Sequence, residues 1–420
     1  MRSKFKKTER SMKRHLLLTL FLLFTFNLPS FSGSKSPEEG SQQLAVNYGA
    51  EYPQEFRVVE NKIVDRNGEP KIFRGLDMVT ITHLKTQNQR GKREYLDWGE
   101  EIFRQMNNWG SEITRIQIHP NGWARFGREG VIRLIDQAIE WSSNYNMYIF
   151  LQYNIIGFPP TQTYGNNYKA ATKNDILEFW NFISEHYKDS KVIAFYELIN
   201  EPTSTRPMNP TLEDWLLWKE FAEEIIDTIR SNDPNSVIIV NGLYWGYDIS
   251  YAIDHPIDRE NIVYGTHPYP QKALYKSWEE AFGAVADKYP VFVTEFGFDY
   301  ISFLKDREVQ KKVFDFLPHL KNVKKRLMMG QFEESDDKID LMKEVYRDIL
   351  SHPKAMEYLR EIEEKYRIGI KQYLERKGIS WTAFCFSPRF RPSLLQNGSY
   401  VPTESGKFFR DWLLEKNIHK

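Results

Sequence analysis

Two carboxylates in this 420-residue sequence stand where chemistry, rather than contact with water, would put them. Glu201 ends the apolar, aromatic run "VIAFYELINEP" and precedes Pro202. Glu295 closes the strand-like part of "PVFVTEFGF" and lies two residues before Gly297. Such runs read as buried strands. A Glu at the end of each, beside a chain-bending residue, would project from the strand's carboxyl edge. Two carboxylates facing one cleft are what glycosidic cleavage needs. One gives a proton to the leaving oxygen, and the other meets the anomeric carbon as an anion. Retaining enzymes hold the pair about 5–5.5 Å apart and inverting ones about 6.5–9.5 Å, a separation that sequence leaves open.

The elements that must position this pair follow a regular rhythm. "FRVVENKIVDRNGEPKIFRGLD" reads as a hairpin, with Ile63-Val64 and Ile72-Phe73 flanking the Asn67-Gly68 turn, and its second half leads into a first barrel strand. Strand-like runs then alternate with amphipathic helical segments: "EITRIQIHP", "MYIFLQYN", "VIAFYELINEP", "SVIIVNG", "NIVYGTHPYP", "PVFVTEFGF" and "GISWTAFCFSP". With the first strand these make eight units, enough to close an α/β (β/α)8 TIM barrel. An open doubly wound sheet usually carries a Gly-rich phosphate turn after its first strand; "RGLDMVTITHL" has none. Between the seventh and eighth strands, residues of about 301–378 form a long, charge-rich helical insertion.

In such barrels the site lies at the C-terminal ends of the strands. Arg115, Asn154, Asn200, Asn241, His267, Tyr269 and Trp381 all fall at or near those ends. Trp123, Phe158, Tyr164, Trp245 and Tyr247 fall in loops beyond them and are candidate sugar-stacking rings. His119 also follows a strand, but a lone His of this kind more often serves structure. No His/Asp/Glu/Cys set has metal-ligand spacing, so neither a metal nor another cofactor is implied.

Composition narrows the partners. Lys plus Arg and Asp plus Glu number 57 each, which argues against nucleic-acid binding. Aromatic residues reach 15%, a share that suits a large core or a carbohydrate surface. The single Cys385 excludes an internal disulfide. Residues 1–32 combine a basic stretch, the apolar run Leu16 to Leu28 and a small-residue segment, the pattern of an export signal. That run is shorter than the ~20 residues a spanning helix needs, so no stable membrane span is expected after cleavage, with an uncleaved anchor as the alternative. Residues 33–54 read as a linker and 55–420 as one catalytic barrel, expected to be a secreted or periplasmic monomer.

The ordered set "ELINEP", "GTHPYP", "VTEFGF" and "ISWTAF" resembles glycoside hydrolase family 5, the cellulase family of clan A, over nearly the whole folded chain. The resemblance implies a retaining hydrolase of β-glycosidic bonds in a polysaccharide or oligosaccharide, with endo-β-1,4-glucanase action first and β-mannanase or another β-glucan hydrolase second. A barrel that binds glycans without cutting them, or a transglycosylase, is the reading from a different class. By position it implies that Glu201 is the acid/base and Glu295 the nucleophile. It implies that Asn200 bonds the sugar 2-hydroxyl and that Arg115 and Tyr269 orient Glu295 as an anion. His267 is implied beside the acid/base and Trp381 as the sugar's stacking platform. One departure stands out. The family often ends the third strand with His, where this chain has "FLQYN", so Asn154 or Gln152 stands in.

Overall fold

The computed structural model describes residues 52–92, 94–164, 171–204, 208–318 and 345–417. The chain divides into two compact units, one of which takes Asp299–Tyr366. The expected export signal and most of the expected linker lie outside the described residues.

The larger unit begins with β1 (Phe56–Val59) and β2 (Lys62–Asp65), followed by β3 (Arg74–Asp77), β4 (Ile113–Ile118) and β5 (Tyr148–Tyr153). Two short strands come next, β6 (Ile156–Phe158) and β7 (Thr163–Tyr164), then β8 (Ile193–Glu197) and β9 (Glu201–Pro202). The last four are β10 (Ile238–Asn241), β11 (Ile262–Thr266), β12 (Val291–Phe296) and β13 (Ser380–Ala383). Eight of them, in the order β3-β4-β5-β8-β10-β11-β12-β13, close into the expected barrel. Every neighbouring pair is parallel. All residues of β4, β5, β10, β11, β12 and β13 are buried. Burial on both faces is why these strands read as unbroken β-branched and aromatic runs.

The floor of the barrel is aromatic. Phe73, Tyr148, Phe150, Phe195 and Phe292 cluster there, and Phe56 of β1 packs edge-on against Phe73 and Tyr148. The hairpin differs from expectation. β2 pairs antiparallel with β1 over Phe56–Asp65, not with Ile72-Phe73. The Asn67-Gly68 turn does form, but only one bridge, Val64 to Pro70, follows it. Pro70 has no N–H to extend a ladder. Part of the expected linker also belongs to the fold. The Tyr52 hydroxyl donates to the Met147 carbonyl at 2.7 Å, and the Gln54 amide donates to the Tyr148 hydroxyl at 3.0 Å.

Two outer helices hold the strand ends. Capping boxes, Thr172 with Asp175 and Thr211 with Asp214, start the helices Lys173–Tyr187 and Leu212–Arg230. From them, the buried indoles of Trp180 and Trp218 each donate at 2.9 Å, to the carbonyls of Leu198 and Asn241. A helix-borne N–H thus pins the backbone just before Asn200-Glu201 and at the end of β10.

The smaller unit is helical where described. Asp299 caps Tyr300–Phe303, Asp306 caps Arg307–Phe316, and Phe303 packs edge-on against Tyr366. The helix Pro353–Lys377 runs past Tyr366, and its residues from Arg367 onward belong to the barrel unit. Among the described residues no helix is long and apolar enough to cross a membrane.

Candidate active site

Glu201 owes its place to its backbone. After β8, the chain forms a short parallel ladder with β6, in which Ile156 faces Glu201 and Gly157 faces Pro202. The Glu201 amide donates to the Ile155 carbonyl at 3.0 Å. Gly157 also lets β6 lie close against β7 on its other side. Its φ is 152°, and a Cβ there would sit 2.6 Å from the Thr163 carbonyl oxygen. Glu295 is the fifth residue of β12, directly before the strand ends.

Arg115 is the hub beneath the two. Its guanidinium donates to Glu295 Oε2 at 2.6 Å, to Asp77 Oδ2 at 2.9 Å and to Asn200 Oδ1 at 2.7 Å. It also forks onto Glu197 at 2.7 and 2.5 Å. Arg115, Asp77 and Glu197 are fully buried. Burial pushes the Asp77 carboxyl well above its usual range against the pull of Arg115, and Glu295 adds to the rise. Burial raises Glu197 in the same way, against Arg115 and Asn241.

Tyr269 donates to Glu295 Oε1 at 2.6 Å, and burial keeps its hydroxyl protonated by pushing its pKa well above the usual value. Glu295 is therefore oriented by one guanidinium and one phenol. Glu201 has different company. Its Oε1 lies 3.2 Å from His267 Nδ1 and 3.6 Å from the buried ammonium of Lys272. Burial holds His267 well below its usual pKa, so the ring is neutral. Lys272 also donates to the Trp245 carbonyl, which ties Trp245 to the carboxylate.

One oxygen or nitrogen from each of Glu201, His267 and Glu295 lies within 4.8 Å of the others. No other described set of His, Cys, Asp and Glu converges in this way. Arg115 and Tyr269 already occupy Glu295, and Lys272 flanks Glu201, so the cluster has the character of an acid–base pair rather than a metal centre.

The sequence-derived candidates fall into two groups. Arg115, Asn200, Glu201, His267, Tyr269 and Glu295 converge. Asn154 joins them through Gln117: its Nδ2 donates to Gln117 Oε1 at 2.8 Å, and Gln117 donates to Asp77 at 2.8 Å. The Asn154 Oδ1 is buried without a hydrogen-bond partner among the described residues.

The expected stacking platform, Trp381, lies elsewhere. It is fully buried and its ring centroid is 4.2 Å from that of Trp412, with Phe296 and Phe409 alongside. Alternation along β13 turns it toward the C-terminal helix Glu404–Asn417 and leaves no face for a sugar. The partly exposed ring just past β13 is Phe384. Trp123 is half-buried against Phe179 and Phe182 in the helix layer, because it sits on the first turn of the helix Pro120–Asn144. Phe158 and Tyr247 are buried, and Tyr247 anchors its loop by donating to the Lys276 carbonyl. Tyr164 is likewise tied, to the Ala171 carbonyl. Trp245 remains half-buried at the rim, in a left-handed conformation with φ 54°. His119 caps the helix that follows it.

Sequence reasoning missed Asp77, Glu197, Thr294, Lys272 and Phe384. Asp77 and Glu197 carried a legible signal, since an acid inside an otherwise apolar strand needs a buried partner. Thr294 and Lys272 carried none.

A closed parallel barrel with two differently held carboxylates at the carboxyl ends of its strands is the architecture of the barrel glycosidases. The chain belongs to the cellulase family, glycosyl hydrolase family 5, whose profile matches residues 64–325, more than half of its length. It is 25% identical over 269 residues to endoglucanase A of Butyrivibrio fibrisolvens, covering 63% of this chain and 56% of that one. It is 25% identical over 303 residues to an endoglucanase of Clostridium saccharobutylicum, covering 70% and 59%. The chain thus spans less than two thirds of these relatives. A beta-glucanase of Saccharophagus degradans, 26% identical, superposes with a TM-score of 0.67 over 91% of this chain and 98% of its own. The catalytic domain of a Thermobifida fusca endoglucanase, 20% identical, shares the fold with a TM-score of 0.56, covering 86% and 97%.

Proposed function

We propose that the protein is a retaining endo-β-glucanase that cuts β-1,4-linked glucan chains. The observation that carries the mechanism is the closeness of Glu201 and Glu295, whose nearest oxygens fall within 4.8 Å. This supports a retaining pair, which sits closer together than an inverting one. In the first step a Glu295 oxygen forms a bond to the anomeric carbon as the glycosidic C–O bond breaks. The departing oxygen takes the proton of Glu201. In the second, Glu201 takes a proton from water, whose oxygen displaces Glu295 and restores the starting configuration.

The neighbours divide the work. Arg115 and Tyr269 hold Glu295 in line. Asn200 is turned by Arg115, which occupies its Oδ1, so its Nδ2 is the end left to meet a sugar 2-hydroxyl. Asn154 stands behind this group through Gln117, and Phe384 and Trp245 offer ring faces.

The choice of glucan is supported by the relatives' names and by the S. degradans beta-glucanase, which has been solved with cellotetraose. We also read residues 1–32 as an export signal and the mature protein as a secreted or periplasmic monomer; N-terminal mass analysis and sedimentation test both. The mechanism is tested with Glu295→Ala. Hydrolysis should fall by at least about 10³-fold, and added azide should yield a glycosyl azide of inverted configuration. Unchanged activity would overturn the assignment. A product-sized screen over β-glucans, mannan and xylan tests the substrate.

A further inference from the structure

A fully buried hydrogen-bonded line, Asn241–Thr294–His267, ends on Glu201. Its direction can be read from its far end. Asn241 Nδ2 donates to Glu197 Oε1 at 2.5 Å and to the carbonyls of Ile199 and Asn200 at 3.0 and 2.7 Å. Three acceptors around the nitrogen fix Oδ1 as the accepting end. The donor facing Oδ1 is the Thr294 hydroxyl, at 3.3 Å. A hydroxyl has one proton. Once it is given to Asn241, the Thr294 oxygen meets His267 Nε2, 3.0 Å away, as an acceptor. Nε2 must then carry the ring's proton. The opposite direction would leave Asn241 Oδ1 buried without a donor, which is costly. With Nε2 protonated and the ring neutral, Nδ1 has only a lone pair to offer. The contact between Nδ1 and Glu201 Oε1, at 3.2 Å, is then a hydrogen bond when the carboxyl carries a proton.

We propose that Asn241 and Thr294 are positioning residues that fix His267 as its Nε2–H tautomer and so favour the protonated form of Glu201. The inference rests on the reading of Glu201 as acid/base. Gly246 supports the arrangement: its φ is 76°, and a Cβ there would lie 2.7 Å from His267 Nδ1. The charged and titratable groups around Glu201 pull in both directions. Lys272, at 3.6 Å, favours the anion, while Glu295 favours the proton by like-charge repulsion. Tyr269, and Tyr244 on the adjoining loop, are neutral phenols, Arg115 stands behind Glu295, and β6 contributes no ionisable side chain.

The relay serves both halves of the reaction. It keeps a proton available for the leaving oxygen. Once that proton has gone, the Glu201 carboxylate faces a lone pair and becomes a stronger base toward the incoming water. Lys272 limits how far this goes.

The test combines four variants with one spectroscopic reading. In ¹⁵N-histidine-labelled protein, with His267→Asn used to assign the signal, Nε2 should carry the proton and Nδ1 should not. Thr294→Val should abolish this preference and move the basic limb of the kcat/KM–pH profile toward acid by roughly 1 unit. The acid limb should stay in place, and Thr294→Ser should keep the wild-type limb. A protonated Nδ1 in the wild type overturns the relay, even if Thr294→Val fails to fold; so does an unmoved basic limb. Glu201→Ala separates the two readings. If the basic limb survives in that variant, the acid/base assignment fails. If it vanishes there but Thr294→Val leaves it unmoved, only the relay fails.

Discussion

Glu201 and Glu295 bring carboxylate oxygens within 4.8 Å of each other, yet only Glu295 touches Arg115. Glu201 instead faces a neutral imidazole, with an ammonium at 3.6 Å. Two like groups in one cleft can take opposite roles only if their surroundings differ, and here the difference comes from which strands supply the partners. β4 delivers the guanidinium under β12, whereas the segment after β11 delivers the imidazole to β9.

That asymmetry predicts a leaving-group effect. Glu201→Ala should slow cleavage of β-glucan by about 10²–10⁴-fold, the range typical of a lost general acid. A dinitrophenyl glycoside, whose leaving group needs no proton, should form its glycosyl-enzyme at a nearly unchanged rate. Pre-steady-state release of the phenol measures it, and equal losses on both substrates would count against the acid role.

Arg115 holds the ground as well as the chemistry. Arg115→Met would leave Asp77, Glu197 and Glu295 clustered without their cation. Breaking a buried ion network by removing one partner costs about 3–5 kcal/mol. Denaturant unfolding should report a loss of that size. Arg115→Lys should recover little, since an ammonium cannot fork onto Glu197 while reaching Asp77, Asn200 and Glu295.

The two rings of β13 and its end should separate stability from binding. Trp381→Ala removes a fully buried indole and should cost about 3–5 kcal/mol of stability. Phe384→Ala should leave the unfolding midpoint near that of the wild type while raising KM for glucan roughly tenfold, about 1.4 kcal/mol. Thermal melts and steady-state kinetics on both variants decide it; the reverse pattern would restore Trp381 as the platform.

Much of this site is legible in the sequence itself. The two acids stand out because they close apolar strands, and the barrel follows from the alternation of elements. Trp381 misleads for a specific reason. In "SWTAF" the larger ring suggests the platform, while period-two alternation places Trp381 and Ala383 on one side of the strand and Phe384 on the other. Glu197 lies in plain view within "FYEL", but its meaning depends on Arg115, 82 positions earlier. Lys272 and Thr294 are illegible because nothing in a loop lysine or a strand threonine indicates what it will face across the barrel.

Asp233 gives a pH signature at the opposite end of the molecule from the chemistry. Burial pushes its carboxyl up to about 6, against a hydrogen bond from Tyr196; in the unfolded chain it titrates near ~3.9. The folded protein therefore binds this proton more tightly. The favourable contribution is complete below about pH 4 and is lost as pH rises through about 6. Asp233→Asn has no such proton to lose. Its midpoint in urea should match the wild type near pH 4 and exceed it at pH 7, and a constant difference across that range would refute the account.

The aromatic floor has a practical bearing on how short this protein can be made. Tyr52 packs at a tilt against Tyr148, with ring centroids 5.1 Å apart, and Phe56 plugs the ring of Phe73, Tyr148 and Phe195. A trimmed version that starts at the first barrel strand would keep every residue of the cleft and still lose the stopper at the other end. Water would then reach the base of the strands that carry Arg115 and Glu295. Tyr52, far from the catalytic pair, therefore belongs in any shortened version.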